Sequence, residues 1–466
     1  MGYLCDTDAR RILSSFTSAT PAIFLVRPSQ PKQRALLQPE QHEWQIEKLV
    51  PGGAGFLRLA NGQGAFAPGA LPGERIRVEL AEDHRTYLQA TRWQLLEMSP
   101  DRVQPVCPVQ GSCGGCDLMT LSYSAQLDAK VGMLRDALLR TGRFAELPEL
   151  AFVAADQPLA YRSRIRLHVS KDGRVGFFAP ASRELVEIPG CAVAHAELEQ
   201  ALLTLREIAS QHRTELAAFS EIELRVAPAG PKLALRLLPA VRSFDRQSAL
   251  WRALATAFHV SIGERDSAPE QDQRFPLPGG VELRVSAAAF TQVNWAVNQR
   301  LVQALLDGAK QRKVRTFCDL YCGAGNFSLP LLANGMRGVG IEGSKPAIAA
   351  AQRASAEQGL SGAQFISADV KQALAQLPHS ETFDLIVLDP PRSGAREILP
   401  ELIRRAPRHI AYCACDPVTL ARDLRALVDS GYTLVSVCGF DMFPQTHHFE
   451  TLAWLSRDES RSSRLP

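Results

Sequence analysis

The chain has 466 residues, more than one hydrophobic core usually organises, so two to four domains are expected. Hydrophobic residues make up 46% and charged residues 22%, which excludes a disordered or fibrous chain. A formal net charge of +3 excludes a histone-like coat for nucleic acid and leaves room for a local basic groove only. No run of eighteen apolar residues occurs, so no membrane association is expected. The opening stretch is interrupted by Ser, Thr and Pro and makes a poor secretory signal. Ten cysteines without regular spacing do not read as a disulfide framework. A cytoplasmic monomer is the expectation.

In chain order, residues 1–38 lack sustained periodicity and are expected to form a flexible extension. Residues 39–98 hold short alternating runs between Gly/Pro turns, with no helical stretch, and predict a small antiparallel β-barrel. Residues 99–285 open with a cysteine cluster at 107–116. An amphipathic helix over Ser122–Phe144 follows, free to pack on the catalytic part of the chain. Strands mixed with a helix near Ala196–Ser210 then predict a central α+β domain. Residues 286–466 alternate apolar strands with helical stretches, the pattern of a Rossmann-like α/β domain whose parallel sheet is covered on both faces.

In open α/β sheets ligands bind at the carboxyl ends of the strands. The first strand runs into Asp319-Leu-Tyr-Cys-Gly-Ala-Gly-Asn326, where two glycines permit a tight turn and close approach of a ligand to the backbone. Ser328 stands where a dinucleotide fingerprint wants a third glycine. The next three strands end in Glu342, Asp369 and Asp389. Three carboxylates suit pyrophosphate poorly, although acids at such positions also cap helices. They suit a ligand bearing a ribose, an amino group and positive charge, and S-adenosylmethionine fits that description.

The loop Asp389-Pro-Pro-Arg392 carries an arginine where adenine amino-methyltransferases place an aromatic residue, which counts against amino-group chemistry. The fifth strand ends in Tyr412-Cys-Ala-Cys415-Asp-Pro417. Cys413 and Cys415 share a strand face, and Cys415 lies nearer the carboxyl end, as a nucleophile would. Carbon 5 of uracil is a weak nucleophile. Adding a thiolate at carbon 6 makes the ring an enolate and places electron density on carbon 5. A base must then take the carbon-5 proton so that the thiolate can leave. Glu450, His447 and His448 are the candidates for that base.

Cys107, Cys113 and Cys116, with Cys191 downstream, supply four thiolates that fit tetrahedral zinc and an iron–sulfur cubane equally well. Arg162, Arg164 and Arg166 alternate and predict one basic strand face for RNA, with a solvated face as the plain alternative. Between residues 41 and 100 there are six Lys/Arg against seven Asp/Glu, so the barrel would bind RNA by stacking through Phe56, Phe66, Tyr87 or Trp93.

Over residues 40–460 the chain resembles the RNA uracil-5-methyltransferases, and within them the iron–sulfur type acting on 23S ribosomal RNA. The resemblance rests on Phe290-Thr-Gln292-Val-Asn294, Asp319 to Asn326, Gly340-Ile-Glu342-Gly-Ser344, Asp389-Pro-Pro-Arg392, Tyr412 to Cys415 and Asp441-Met-Phe-Pro444 through Glu450. It implies that Cys415 is the nucleophile and Glu450 the base. It implies that Gln292, Tyr321, Asn326, Glu342, Asp369 and Asp389 contact S-adenosylmethionine. It also implies a [4Fe-4S] cluster on Cys107, Cys113, Cys116 and Cys191, and a TRAM-type barrel, OB-like in form, that binds RNA. The target uridine must be flipped from a single strand or loop of ribosomal RNA. Transfer RNA is the competing substrate. A cytosine-5 or adenine methyltransferase and a non-catalytic RNA-binding protein are the remaining alternatives. Asp416 departs from the family's asparagine and puts an additional carboxylate beside the nucleophile.

Overall fold

The computed structural model describes residues 43–229, 233–241, 244–263, 272–286, 289–378 and 382–457, together with the backbone of 23–25 and 34–35. The chain divides into two compact units, Met1–Arg102 and Val103–Pro466. Among the described residues no helix is long and apolar enough to cross a membrane.

In the first unit, Arg75–Asp83 and Tyr87–Glu97 are the long strands of an eight-stranded sheet, antiparallel except where Gly64–Phe66 runs parallel to Tyr87–Gln89. Period-two patterning turns Ile76 and Val78 inward onto Trp44, Ile46, Ala65 and Trp93. Two of the aromatics expected to stack on RNA are spent on this core. Trp93 is buried and donates its Nε1–H to the Pro68 carbonyl at 3.2 Å, and Phe56 is buried. Phe66 and Tyr87 are half-buried and pack edge to face. The expectation for residues 1–38 lies outside the described residues, except that the backbone of Ile23–Leu25 and Arg34–Ala35 pairs into this sheet. The unit ends at Arg102 rather than at 98 because the Arg102 guanidinium forms an ion pair with the buried Glu74 and donates to the Gly69 carbonyl at 2.9 Å.

The second unit holds two larger sheets. One has six strands, in the order Leu185–Val186, Val175–Phe178, Arg164–Val169, Phe219–Val226, Leu233–Pro239 and His259–Ile262. Helix Ala196–Gln211 packs on it. Its Leu198, Ala201, Leu202, Leu205 and Ala209 recur at helical spacing and are buried, each leucine contributing roughly 2 kcal/mol.

The other sheet carries the parallel strands Thr316–Leu320, Arg337–Glu342, Ala363–Ser367, Leu385–Leu388 and His409–Ala414, followed by Tyr432–Phe440 and Glu450–Arg457. Numbered in that order, they lie 3-2-1-4-5-7-6 across the sheet, with only the seventh strand antiparallel to both neighbours. Leu385–Leu388 is buried at every residue, as a central strand covered on both faces requires.

The described residues between 103 and 285 fall in the same compact unit as those that follow. Leu150–Val153 adds an eighth strand, parallel to Val437–Phe440, at the sheet's edge. The hairpin Gln273–Leu277 with Val281–Val285 buries Phe275, Leu283 and Val285 in the same core as Phe317 and Leu385. Arg225, fully buried in the six-stranded sheet, donates to Gln273 and to the carbonyls of Ala289 and Ser286, at 2.7 and 2.5 Å for the last two. Cutting the chain at 285 would strand that guanidinium.

Candidate active site

The carboxyl ends of strands 1 and 4, where the sheet order reverses, form the crevice in which ligands of such sheets bind. Tyr321 and Gly323 turn there with φ of 65° and 56°, the left-handed region. A Cβ added at Gly323 would meet nothing within 4 Å, so the turn faces open space. Glu342 reaches back across it, accepting from Gly323 N at 3.3 Å and from Ser344 N at 2.8 Å. Asp369 and Glu342 both push the Tyr321 phenol up, after burial, which places the three together. Asp369 also caps helix Val370–Gln376, accepting from Gln372 N at 3.0 Å.

Two of the expected cofactor contacts stand differently. Asn326 is bound reciprocally to Asn298, amide to amide at 2.9 and 3.0 Å, so its side chain is held by a partner on helix Trp295–Gln311. Gln292 is buried in the strap leading to that helix, where the carbonyls of Gln292 and Val293 accept from Ser163 Oγ. Below the turn, burial pushes the Asp319 carboxyl up to about 7, and Ser328 donates to it at 2.6 Å. Ser328 thus takes the position of the missing glycine to satisfy a buried acid.

Asp389, Arg392, Cys415 and Glu450 converge at the end of strand 5. Burial raises the Cys415 thiol to about 11; Glu450 and Asp389 add to the rise, and the Arg392 guanidinium opposes it. Glu450 is 6% exposed and its carboxyl is held well above the usual range by burial and by Asp389. Asp389 itself is pushed up to about 6 by burial. Cys413, one strand period away, is sealed in the core. Asp416 is turned away from thiol chemistry: it caps helix Pro417–Asp429, accepting from Thr419 N at 2.7 Å. Of the alternative bases, His447 is paired to Asp117, and His448 lies 3.5 Å from Arg392 with its pKa driven down to about 4 by burial. Arg392 was visible as a departure from an aromatic slot, but its place beside the thiol has no local sequence signal.

Cys107, Cys113, Cys116 and Cys191 are half-buried free thiols. Cys107, Cys116 and Cys191 pack with Met119, Tyr161, Val193, Val293 and Phe443. The thiols feel one another: burial lifts Cys116 to about 12, and Cys191, Cys113 and Cys107 all add to the rise. Among the described residues no three His, Cys, Asp or Glu side chains are grouped to hold a single metal ion.

The three arginines do not share one free face. Arg162 lies outside the strand, its backbone bridged to Ala194, its guanidinium beside Cys116 and Cys191. Arg166 is paired with Glu223 at 3.0 Å and Glu221 at 3.5 Å. Arg164 lies over the exposed ring of Phe290, 4.8 Å from its centroid.

A 3-2-1-4-5-7-6 sheet with a glycine turn and strand-end carboxylates defines a Rossmann-like methyltransferase domain. A family model described as tRNA (Uracil-5-)-methyltransferase matches residues 280–458. The 23S rRNA (uracil(1939)-C(5))-methyltransferase RlmD of Pectobacterium carotovorum subsp. carotovorum (strain PC1) is 35% identical, covering 89% of this chain and 93% of its own. The RlmD of Aeromonas hydrophila is 33% identical over 91% and 98%. Among solved structures, Pyrococcus abyssi tRNA (uracil-54, C5)-methyltransferase in complex with S-adenosyl-L-homocysteine matches with a TM-score of 0.67 and 25% identity, over 89% of this chain and 100% of that one. The chain belongs to the RNA uracil-5-methyltransferase family.

Proposed function

We propose that the protein methylates carbon 5 of one uridine in 23S ribosomal RNA, using S-adenosyl-L-methionine and a covalent Cys415–uracil intermediate. The observation that carries this reading is the convergence of Cys415, Glu450, Asp389 and Arg392 at one strand end, with Cys413 sealed beneath. S-adenosyl-L-methionine supplies the methyl group when bound, with Tyr321, Glu342, Asp369 and Asp389 to receive its polar and cationic parts; Gln292 and Asn326 border that crevice.

The Cys415 thiolate adds to carbon 6, the 5,6 double bond opens, and its electrons pass to the enolate oxygen at carbon 4. Carbon 5 then accepts the methyl group. Glu450 removes the carbon-5 proton, the double bond re-forms, and the thiolate leaves with its electron pair. Burial disfavours the charged forms of both Cys415 and Glu450, so their ionisation has to be assisted by nearby positive charge. Positive charge from Arg392 and from the bound sulfonium favours it.

Further parts of the reading are proposals on the same footing. Cys107, Cys113, Cys116 and Cys191 would hold a [4Fe-4S] cluster; four mutually close thiols beside the Arg162 cation support this, since cubane ligands lie further apart than those around one ion. The barrel-like first unit would contact RNA in the manner of a TRAM domain, Arg164 with Phe290 would meet RNA near the site, and the enzyme would act as a cytoplasmic monomer.

The test is nucleoside mass spectrometry of 23S ribosomal RNA transcripts treated with purified enzyme. Wild type is expected to yield 5-methyluridine, and Cys415→Ala to lose it by about a thousandfold or more. Methylation by Cys415→Ala would overturn covalent chemistry, and a preference for transfer RNA transcripts would move the substrate.

A further inference from the structure

Glu450 begins a strand, and the loop ahead of it, Asp441 to His448, has little internal structure to fix its course. Within it a short turn closes where Thr446 N–H and Oγ–H donate to the Phe443 carbonyl, at 3.2 and 2.8 Å; many of its other hydrogen bonds run to residues 117–161, far away in sequence. Helix Tyr123–Asp136 presents Tyr123, Gln126 and Lys130 at helical spacing on one face. Tyr123 donates its hydroxyl to Asp441 Oδ2 at 2.7 Å. Lys130 donates Nζ–H to Asp441 Oδ1 at 2.5 Å and to the Phe443 carbonyl at 3.1 Å. Lysine and aspartate are both 0% exposed. Gln126 exchanges bonds with Gln445: its Nε2 donates to Gln445 Oε1 and its Oε1 accepts from Gln445 N, both at 3.0 Å. Gln445 sits at φ 68°, a left-handed conformation that costs a non-glycine residue energy and persists only when its surroundings enforce it. The Asp117 and Leu118 amides donate to its carbonyl at 3.2 and 3.0 Å. Tyr161 donates to the Pro444 carbonyl at 2.9 Å, and Asp117 accepts from His447 N at 2.8 Å.

A buried lysine–aspartate pair is weak evidence for stability, because desolvation cancels much of the attraction. It does fix one geometry, since both charges are fully buried and the bonds from Tyr123 to Asp441 and from Lys130 to the Phe443 carbonyl hold the pair in place. We propose that Lys130, Tyr123 and Gln126 are positioning residues that hold the Asp441–His448 loop so that Glu450 meets the carbon-5 proton. The inference rests on the base role proposed for Glu450. It assigns to the helix a part in the second half of the reaction only, after Cys415 has bonded to the ring.

That separation makes the test. Adduct formation on 5-fluorouridine RNA requires Cys415 and the methyl donor, and it stops there because fluorine cannot leave as a proton does. For Lys130→Met, the 5-fluorouridine adduct is expected at the wild-type rate. On uridine RNA, turnover is expected to fall about 10- to 100-fold with KM for RNA unchanged, while a methylated protein–RNA adduct accumulates on denaturing gels. Gln126→Leu, which orphans no charge, is expected to show the same split more weakly, and it carries the test if Lys130→Met does not fold. Equal losses on both RNAs, or uridine turnover without adduct, would overturn the positioning role. Glu450→Gln run alongside separates the two readings: if it builds up no methylated adduct, the base assignment falls instead.

Discussion

At the residue scale the proposed chemistry turns on a thiol that burial and two carboxyls push up while one guanidinium opposes them. The Cys415 pKa of about 11 includes a lowering contribution from Arg392. Removing that cation destabilises the thiolate and leaves the neutral thiol alone, so the pKa must rise further. At any pH below it the thiolate fraction then falls, about tenfold for each unit of rise. Arg392→Gln is therefore expected to shift the alkaline-rising limb of the adduct-forming rate upward by about one pH unit. The check is the single-turnover rate on 5-fluorouridine RNA measured from neutral to alkaline pH. A lowered rate with an unmoved profile would mean that Arg392 binds RNA and does not tune the thiol. That Cys415 and Glu450 lie near one another was legible in the chain because a strand end and a short loop place them, and both signals are local. The rest was masked by partnering. Asn326 is absorbed by Asn298, and Arg166 by Glu221 and Glu223; an amide or an arginine reads the same in sequence whether it is free or taken.

At the scale of elements, helix Trp295–Gln311 contains one glycine, which in an exposed helix would be improved by alanine by about 1 kcal/mol. Here a Cβ on Gly308 would stand 2.4 Å from Trp454 Cζ2. Trp454 is 4% exposed, and Arg312 covers its ring 4.2 Å from the centroid, so the indole has no room to retreat. Packing outweighs propensity. Gly308→Ala is expected to destabilise the protein by about 1–3 kcal/mol in urea unfolding monitored by tryptophan fluorescence, and a gain in stability would refute the contact. Elements with their own periodicity, the parallel strands and helix Ala196–Gln211, were readable for the same reason that their faces bury. Leu150–Val153 was not. Its parallel partner is Val437–Phe440, and Phe152 meets Gly439 across that pairing. No local pattern announces a pairing between strands so far apart in the chain.

At the scale of the whole molecule, the second unit is closed by contacts between its first residues and its last. Lys130 and Asp441 are 311 positions apart, and the segment following Cys116 grips the loop that leads into Glu450. Phe443 of that loop packs against the same buried cluster of Met119, Tyr161, Val193 and Val293 as Cys107, Cys116 and Cys191. Whatever gathers these cysteines therefore also braces one side of the loop leading into Glu450, the proposed base. Burial raises the thiols of Cys113, Cys116 and Cys191. Binding a metal centre would take the cysteines as thiolates, release protons and add its binding free energy to folding. The crevice at Gly323, Glu342 and Asp369 is held by hydrogen bonds among neighbouring strand ends and the helix that Asp369 caps. Stripping iron with an oxidant and chelator is thus expected to lower the melting temperature by about 5–10 °C while leaving S-adenosylmethionine affinity, read by calorimetry, within about twofold. Iron and sulfide analysis would accompany the melt. A protein purified anaerobically without colour, whose melting ignores the chelator, would reduce the four cysteines to packing and leave the brace to the Lys130 helix alone.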